Sequence, residues 1–259
     1  MKPTVSIAQI PITVGVPEEN IDRVREHAVE AARRGSHLLL LPELWATGYD
    51  LPHAAQWASP PDEGPFALVA QWARELNLWI VGSLLERGPE GVYNTAHVAS
   101  PAGEIVALYR KIHLFPLMEE PRYLKAGTQP VLWRAPWGWV GLAICYDVRF
   151  PELFRAYRRA AAHMVLLPAE WPHPRLHHWR TLIQARAIEN QYFLLAANRV
   201  GQSGETRFLG HSMIVSPWGE PLLEAGEQPV LLTTQVDLAE VAEARRRLPM
   251  DLEGDHAQE

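Results

Sequence analysis

Short apolar strands alternate with amphipathic helices along the chain, and that alternation limits the folds open to it. TVSIAQI (4–10) is β-branched and alternating, which predicts a strand. From 17 to 34 the apolar positions fall at helical spacing, with Ile21, Val24, Ala28 and Ala31 on one face and Gly35 as the stop. HLLLLPE (37–43) reads as a buried strand, PFALVAQWARELN (65–77) as a helix, and LWIVGSLLE (78–86), VYNTAHVAS (92–100) and EIVALYRK (104–111) as strands. The second half follows the same logic. Strands are expected at GWVGLAICY (138–146), HMVLLPAEW (163–171), QYFLLAANRV (191–200) and FLGHSMIVS (208–216). Helices are expected at PELFRAYRRAA (151–161) and at 174–190, where Leu176, Trp179, Ile183 and Ala187 share a face. The turn SPWGE (216–220) echoes SPAGE (100–104), which hints at a duplicated α/β half. No flexible linker separates the halves. The expectation is an α/β fold in one domain over 1–259, with two mixed sheets packed face to face, helices outside, and a tail from about residue 250.

A chain of 259 residues, 47% hydrophobic, can bury a large core. Its net charge is −6, and the basic clusters Arg158–Arg159 and Arg245–Arg247 lie in helical patterns with acidic neighbours, as solvated faces do. No nucleic-acid partner is expected. A single cysteine excludes an intramolecular disulfide and zinc sites built on several cysteines. His173 and His177 have i, i+4 spacing, but Pro174 lies between them and no HExxH pattern exists, so no metal is expected. The apolar start soon meets Glu18 and Glu19, unlike a signal peptide, and no stretch approaches the roughly 18 apolar residues of a membrane helix. The expected location is the cytoplasm, away from membranes.

Three predicted strands end in three different reactive groups. Glu43 follows the leucine run, Lys111 closes EIVALYRK, and Cys145, the lone cysteine, ends the apolar rise of GWVGLAIC. Each has an ordinary reading: most cysteines are small packing residues, and Glu43 with Lys111 could be a structural ion pair. Together they make coherent chemistry, because sites in open α/β sheets collect at strand carboxyl ends. Glu43 can act as general base toward the thiol. Lys111 can stabilise a thiolate and then an oxyanion, with the Tyr146 N–H as a second donor.

PELWATGY, YRKIHLF and CYDVRFPE resemble the three motifs of the nitrilase, or carbon–nitrogen hydrolase, superfamily, and the similarity runs from SIAQIPI to the late helix LAEVAEARRRLP. The resemblance implies a four-layer α-β-β-α sandwich and a Glu–Lys–Cys triad, with Glu43 as base, Lys111 as oxyanion stabiliser and Cys145 as nucleophile. It implies a second glutamate in the loop after the lysine, where Glu120 fits best and Glu119 is the rival. The implied reaction is attack by the Cys145 thiolate on an amide or nitrile carbon, loss of ammonia, and hydrolysis of a thioester, without cofactor or metal. It also implies a homo-oligomer, most simply a dimer.

The stretch from Ala169 to Gly201 is similar to the omega-amidase branch, which acts on dicarboxylate monoamides such as 2-oxoglutaramate and 2-oxosuccinamate. A small anionic amide needs a local cation, for which Arg175 is the candidate, with Tyr49, Tyr146 and Trp171 as further substrate-binding residues. Glu170 stands where some relatives have a neutral residue, which weighs against strict omega-amidase specificity. N-carbamoyl amino acids, deaminated glutathione and nitriles remain alternatives, as do a Cys–His hydrolase and an inert assembly protein. Asp147 with Arg149 is expected to brace the turn as a local ion pair, and Arg186 with Glu189 to pair along a helix.

Overall fold

In the computed structural model, residues 2–250 are described. The first half runs β1 (Thr4–Gln9), α1 (Pro17–Arg33), β2 (Leu38–Leu40), α2 (Ala54–Trp57), α3 (Gly64–Leu76), β3 (Trp79–Gly88), β4 (Gly91–Ala99), β5 (Ile105–Arg110) and α4 (Glu120–Tyr123). The second half runs β6 (Leu132–Ala135), β7 (Gly138–Leu142), α5 (Pro151–Arg159), β8 (Met164–Ala169), α6 (Leu176–Asn190), β9 (Phe193–Asn198), β10 (Val200–Ser203), β11 (Thr206–Leu209), β12 (Met213–Val215), β13 (Pro221–Glu224), β14 (Val230–Gln235) and α7 (Ala239–Arg247).

Two six-stranded sheets form, ordered β14-β1-β2-β3-β4-β5 and β13-β12-β9-β8-β7-β6. Both follow one scheme. Three parallel central strands, β1-β2-β3 and β7-β8-β9, carry one antiparallel strand on one side and two on the other. The turns SPAGE and SPWGE join the equivalent strands β4–β5 and β12–β13. They also make the same bonds: Ser100 N–H to Glu104 O at 2.8 Å and Gly103 N–H to Ser100 O at 2.8 Å, then Ser216 N–H to Glu220 O and Gly219 N–H to Ser216 O, both at 2.9 Å. Each turn places its glycine at positive φ, Gly103 at 83° and Gly219 at 82°, where a side chain would be strained. The duplication is therefore carried by the sheets as well as by the two pentapeptides.

The inner faces of the sheets share one core, with Val5, Ile7, Leu38 and Val81 packed among Val140, Leu142, Leu166 and Leu195. α1 and α3 cover the outer face of the first sheet through Val24, Ala28, Phe66 and Val69. α5 and α6 cover the second through Phe154, Trp179 and Ile183. The result is an α-β-β-α sandwich. Among the described residues no helix is long and apolar enough to cross a membrane.

The expected strands are right in place but too long at the ends that matter. The run 37–43 pairs as a strand only over Leu38–Leu40, and 138–146 only to Leu142, so Glu43 and Cys145 stand beyond the ladders. The run 208–216 is not one strand. Gly210 (φ 71°) and His211 (φ 55°) break it into β11, which pairs with β10 in a hairpin, and β12 in the second sheet. A Cβ on Gly210 would lie 2.4 Å from the Gln9 side chain. The strands β6, β13 and β14 and the short helix α2 were not expected. The tail proposed from about residue 250 falls outside the described residues, except for Met250.

This packing makes a stability prediction. Leu166 is fully buried on β8 between the sheets, whereas Leu222 on the edge strand β13 is 39% exposed. Leu166→Ala is expected to cost about 2–5 kcal/mol, and Leu222→Ala no more than about 0.5 kcal/mol, as read by urea unfolding. Comparable losses would contradict the assignment of the core.

Candidate active site

Each reactive residue lies one to three positions past a strand end. Glu43 follows β2. Leu44, just after it, adopts φ 43° and donates its N–H to Ser83 Oγ on β3 at 2.8 Å, which turns the chain and fixes the carboxylate. Lys111 follows β5, with its N–H on Asn94 O and its carbonyl accepting from Gly127 N–H, both at 2.8 Å. Gly127 is required there, because a Cβ would lie 2.2 Å from Arg110 O. Cys145 opens a single 3₁₀ turn, Cys145–Arg149, at φ 44°. A non-glycine residue in this left-handed region is strained, and such strain persists only where surroundings over-determine it.

Asp147 supplies much of that constraint. It is fully buried, and its carboxylate accepts from Ile144 N–H at 2.9 Å, Tyr109 O–H at 2.8 Å and His113 N–H at 3.0 Å. The turn bearing Cys145 is thereby tied to the chain around Lys111. The expected Asp147–Arg149 ion pair does not form. Arg149 instead lies 4.8 Å over the Trp171 ring and 5.8 Å over Tyr146, with Nη2 3.3 Å from His178 Nδ1. Its planar guanidinium gains more from aromatic faces than from an aspartate already saturated by donors. Arg186 and Glu189 do pair, at 2.8 Å.

Glu43, Lys111 and Glu120 meet in one fully buried cluster. Lys111 Nζ is 2.8 Å from Glu43 Oε1 and 2.7 Å from Glu120 Oε1. The Tyr49 hydroxyl lies 2.8 Å from both of these oxygens. Asn94 Nδ2 donates to Glu43 Oε1 at 2.8 Å. The outer oxygens are held by backbone, Glu43 Oε2 by Glu170 N–H at 2.9 Å and Glu120 Oε2 by Phe115 N–H. Glu119 takes no part; its side chain is 63% exposed and pairs with Arg122. It still shapes the site, because its φ of 57° turns the backbone so that Glu120 points inward.

Burial alone would make Lys111 less basic, but the Glu120 and Glu43 carboxylates outweigh it and hold the ammonium charged. Burial pushes Glu120 upward against the pull of Lys111. The Cys145 thiol is pushed well above its ordinary range, first by burial and then by the Glu43 charge, with Lys111 opposing. A hydrogen bond between the Cys145 and Glu43 side chains adds to the same direction. The resting group is a thiol: the site is buried, and the ammonium is already shared by two carboxylates, so a third anion would be uncompensated. The charged groups that act most strongly on the thiol are Glu43, Lys111 and Glu120.

Phe115, Cys145, Tyr146, Arg149, Trp171, Pro172 and Arg175 line a small pocket over the thiol. Trp171 and Tyr146 are walls of it. Tyr49 is not; it belongs to the carboxylate cluster. Arg175 is half-buried, 6.0 Å over Phe115, and among the described residues neither it nor Arg149 pairs with a carboxylate. Tyr146 N–H lies in the first turn of the 3₁₀ segment, where backbone donors have no intrahelical acceptor. Glu170 is fully buried, with Oε2 2.9 Å from Arg199 Nη1. Burial raises its pKa to about 7 despite that partner. Among the described residues no group of three or more His, Cys, Asp or Glu side chains could hold a metal ion.

Asn94 and Phe115 escaped the sequence reading, and Asp147 and Arg149 were read there only as partners of each other. Asn94 left a signal, since a buried asparagine in the middle of strand β4 runs against strand preference. Phe115 left none, and the observed roles of Asp147 and Arg149 depend on partners distant in the chain.

The sequence profile of the carbon-nitrogen hydrolase family matches residues 4–246. The 2-oxoglutaramate amidase of Bacillus subtilis (strain 168) is 40% identical over 251 residues, covering 96% of either chain. A CN-hydrolase superfamily protein from Xanthomonas campestris superposes with a TM-score of 0.90 at 31% identity over 96% of both chains. A mutant amidase from Nesterenkonia sp. AN1 has the acetamide moiety of fluoroacetamide added covalently at its active-site cysteine. It superposes with a TM-score of 0.85 at 31% identity, over 95% of this chain and 94% of that one.

Because the resting group is a thiol, iodoacetamide labelling of Cys145 should rise by about tenfold per pH unit between pH 7 and 9, following the thiolate fraction. Lys111→Met should slow it further at each pH, since the cation that most favours the thiolate is lost. Intact-protein mass spectrometry reads both. A plateau already reached at pH 7 would mean a resting thiolate.

Proposed function

We infer that this chain, which belongs to the carbon-nitrogen hydrolase family, is an amidase that uses Cys145 as nucleophile on small ω-amides bearing a distal carboxylate. The observation that carries the reading is the convergence of the thiol, Glu43 and Lys111 in a buried cluster opening on a pocket with two guanidiniums that no carboxylate among the described residues pairs.

Each step uses a group already in position. On approach of the amide carbon, the Cys145 thiol gives its proton to Glu43 as the C–S bond forms. The charge on the amide oxygen is met by the Lys111 ammonium and the Tyr146 N–H. Glu43 then protonates the nitrogen, the C–N bond breaks, and ammonia leaves a thioester. Water gives a proton to Glu43 and attacks the thioester, and the C–S bond breaks. The thiol recovers the proton, and the acid leaves as a carboxylate. Glu120, with Tyr49 and Asn94, fixes Lys111 and supplies the second negative charge that keeps it an ammonium. A starting thiol suits this scheme, since proton transfer and attack are coupled.

The likeness to the 2-oxoglutaramate amidase supports a dicarboxylate monoamide as substrate. Arg149 and Arg175 supply the chemistry that the distal carboxylate needs, in a protein whose net charge of −6 would not attract an anion. The Glu170 carboxylate, which first weighed against this specificity, is neutralised by Arg199 and is not a wall of the Cys145 pocket.

Cys145→Ala should abolish hydrolysis of 2-oxosuccinamate while leaving the fold intact, and Glu43→Gln should lower kcat by roughly 10²–10⁴-fold. Arg149→Met and Arg175→Met should each lower kcat/KM on 2-oxosuccinamate by about 10–100-fold, as loss of a charged hydrogen-bond partner does. On a neutral aliphatic amide of similar length they should cost less than about threefold. Ammonia release measures all of these. Equal losses on both amides would make the arginines structural, and a wild type that prefers the neutral amide would remove the substrate assignment.

A further inference from the structure

A second pocket reaches the carboxylate cluster through different residues. It has a volume of about 500 Å³, and Tyr49, Met118, Glu170, Arg199 and Ser203 are among its walls; none of them lines the Cys145 pocket. Two of them touch Glu43 directly: the Tyr49 hydroxyl at Oε1 and the Glu170 N–H at Oε2. The Glu170 carboxylate is fully buried and only half used. Oε2 bonds Arg199, whereas Oε1 has no hydrogen-bond partner among the described residues. Gly48 packs against it without a side chain; a Cβ there would lie 3.6 Å from Oε1 and crowd the methyl groups of Val14 and Ile12 at 3.1–3.2 Å. A buried carboxylate oxygen without a donor is costly, and it is the natural acceptor for a small N–H or O–H donor.

We propose that this pocket is the ammonia site of the enzyme, in which Glu170 Oε1 accepts an N–H from the released nitrogen and through which water reaches the thioester. The proposal rests on the amidase reading above. The acyl group and its carboxylate occupy the arginine pocket, so the nitrogen must leave past Glu43, and the residues that hold Glu43 also line this second space. The bookkeeping closes: C–N cleavage with proton transfer from Glu43 gives ammonia, ammonia takes one proton from solvent to become ammonium, and the arriving water returns a proton to Glu43. A primary amine of similar size, such as hydroxylamine, should use the same route and trap the thioester as a hydroxamate.

One test needs no turnover. Thermal unfolding of the wild type is compared in ammonium, potassium and sodium chloride at equal ionic strength. Ammonium should raise the midpoint above both other cations. Glu170→Gln should abolish the difference, and Gln202→Trp, which fills the pocket from the exposed strand β10, should reduce it. During turnover of 2-oxosuccinamate, Glu170→Gln should raise the inhibition constant of ammonium by about tenfold or more. KM for the amide should move less than about threefold, and the hydroxamate-to-acid ratio should fall in both variants. Should Glu170→Gln fail to fold without its ion pair, Gln202→Trp carries the comparison. Ammonium behaving like potassium would overturn the proposal. So would an unchanged inhibition constant and product ratio in a folded variant, or a KM that rises in step with them. A protein that responds to ammonium but releases none from any amide would instead overturn the amidase reading.

Discussion

A lysine ammonium held between two buried carboxylates is the interaction to which the rest of the site is fitted. Lys111, Glu43 and Glu120 are fully removed from solvent, and desolvating three charges costs more than their attraction alone repays. The remainder comes from donors built around them: Tyr49, Asn94 and two backbone N–H groups, each on a different segment. With all three groups ionised the cluster carries one net negative charge, which adds to burial in keeping the neighbouring cysteine protonated. Removing one partner would leave an uncompensated buried charge, so the cluster is poorly explained as a device for stability and well explained as preorganisation for proton transfer and oxyanion binding.

The duplicated architecture places this cluster at the junction of two half-molecules. The first sheet brings Glu43 and Lys111 past the ends of β2 and β5, and the second brings Cys145 past the end of β7. Neither sheet holds a complete set. The link between them is Asp147, which takes donors from Tyr109 and His113 of the first half and fixes the turn of the second. Backbone strain gathers at the same junction, since Leu44, Glu119 and Cys145 all occupy the left-handed region beside or at a reactive group. Such conformations cost of order 1–3 kcal/mol each and survive where packing and hydrogen bonds over-determine them.

Much of this was legible in the sequence, and the boundary of legibility has physical causes. A charged residue directly after an apolar run is a strong signal because burial of a charge is expensive. Glu43 and Lys111 announce themselves in that way, and Cys145 does so by being alone. The central strands and the covering helices show clear periodicity. The edge strands β6, β13 and β14 do not, because one side of each faces solvent and little pattern is required of it. The run 208–216 misled because apolar content says nothing about direction; the break at Gly210–His211 is set by contact with Gln9, some two hundred residues away in the chain. Asp147 and Arg149 look like neighbours that should pair. Their real partners, Tyr109, His113 and Trp171, come from two other segments, and no local rule finds them.

Proton chemistry and substrate recognition are assigned to different parts of the fold. The proton-handling groups sit at strand ends, where the ladders allow little movement. The arginines sit on the 3₁₀ turn and on the approach to α6, held by aromatic faces. Stacking leaves a guanidinium charged and its N–H fork free in the plane of the ring, which a carboxylate partner would not. The two parts are still coupled. Trp171 supports Arg149, donates Nε1–H to Arg175 O, and is anchored by its own N–H on Asn198. The residue before it, Glu170, gives its N–H to Glu43. A shift in this dipeptide therefore moves the carboxylate-binding wall and the proposed base together, which ties recognition of the distal carboxylate to the position of the group that moves the proton.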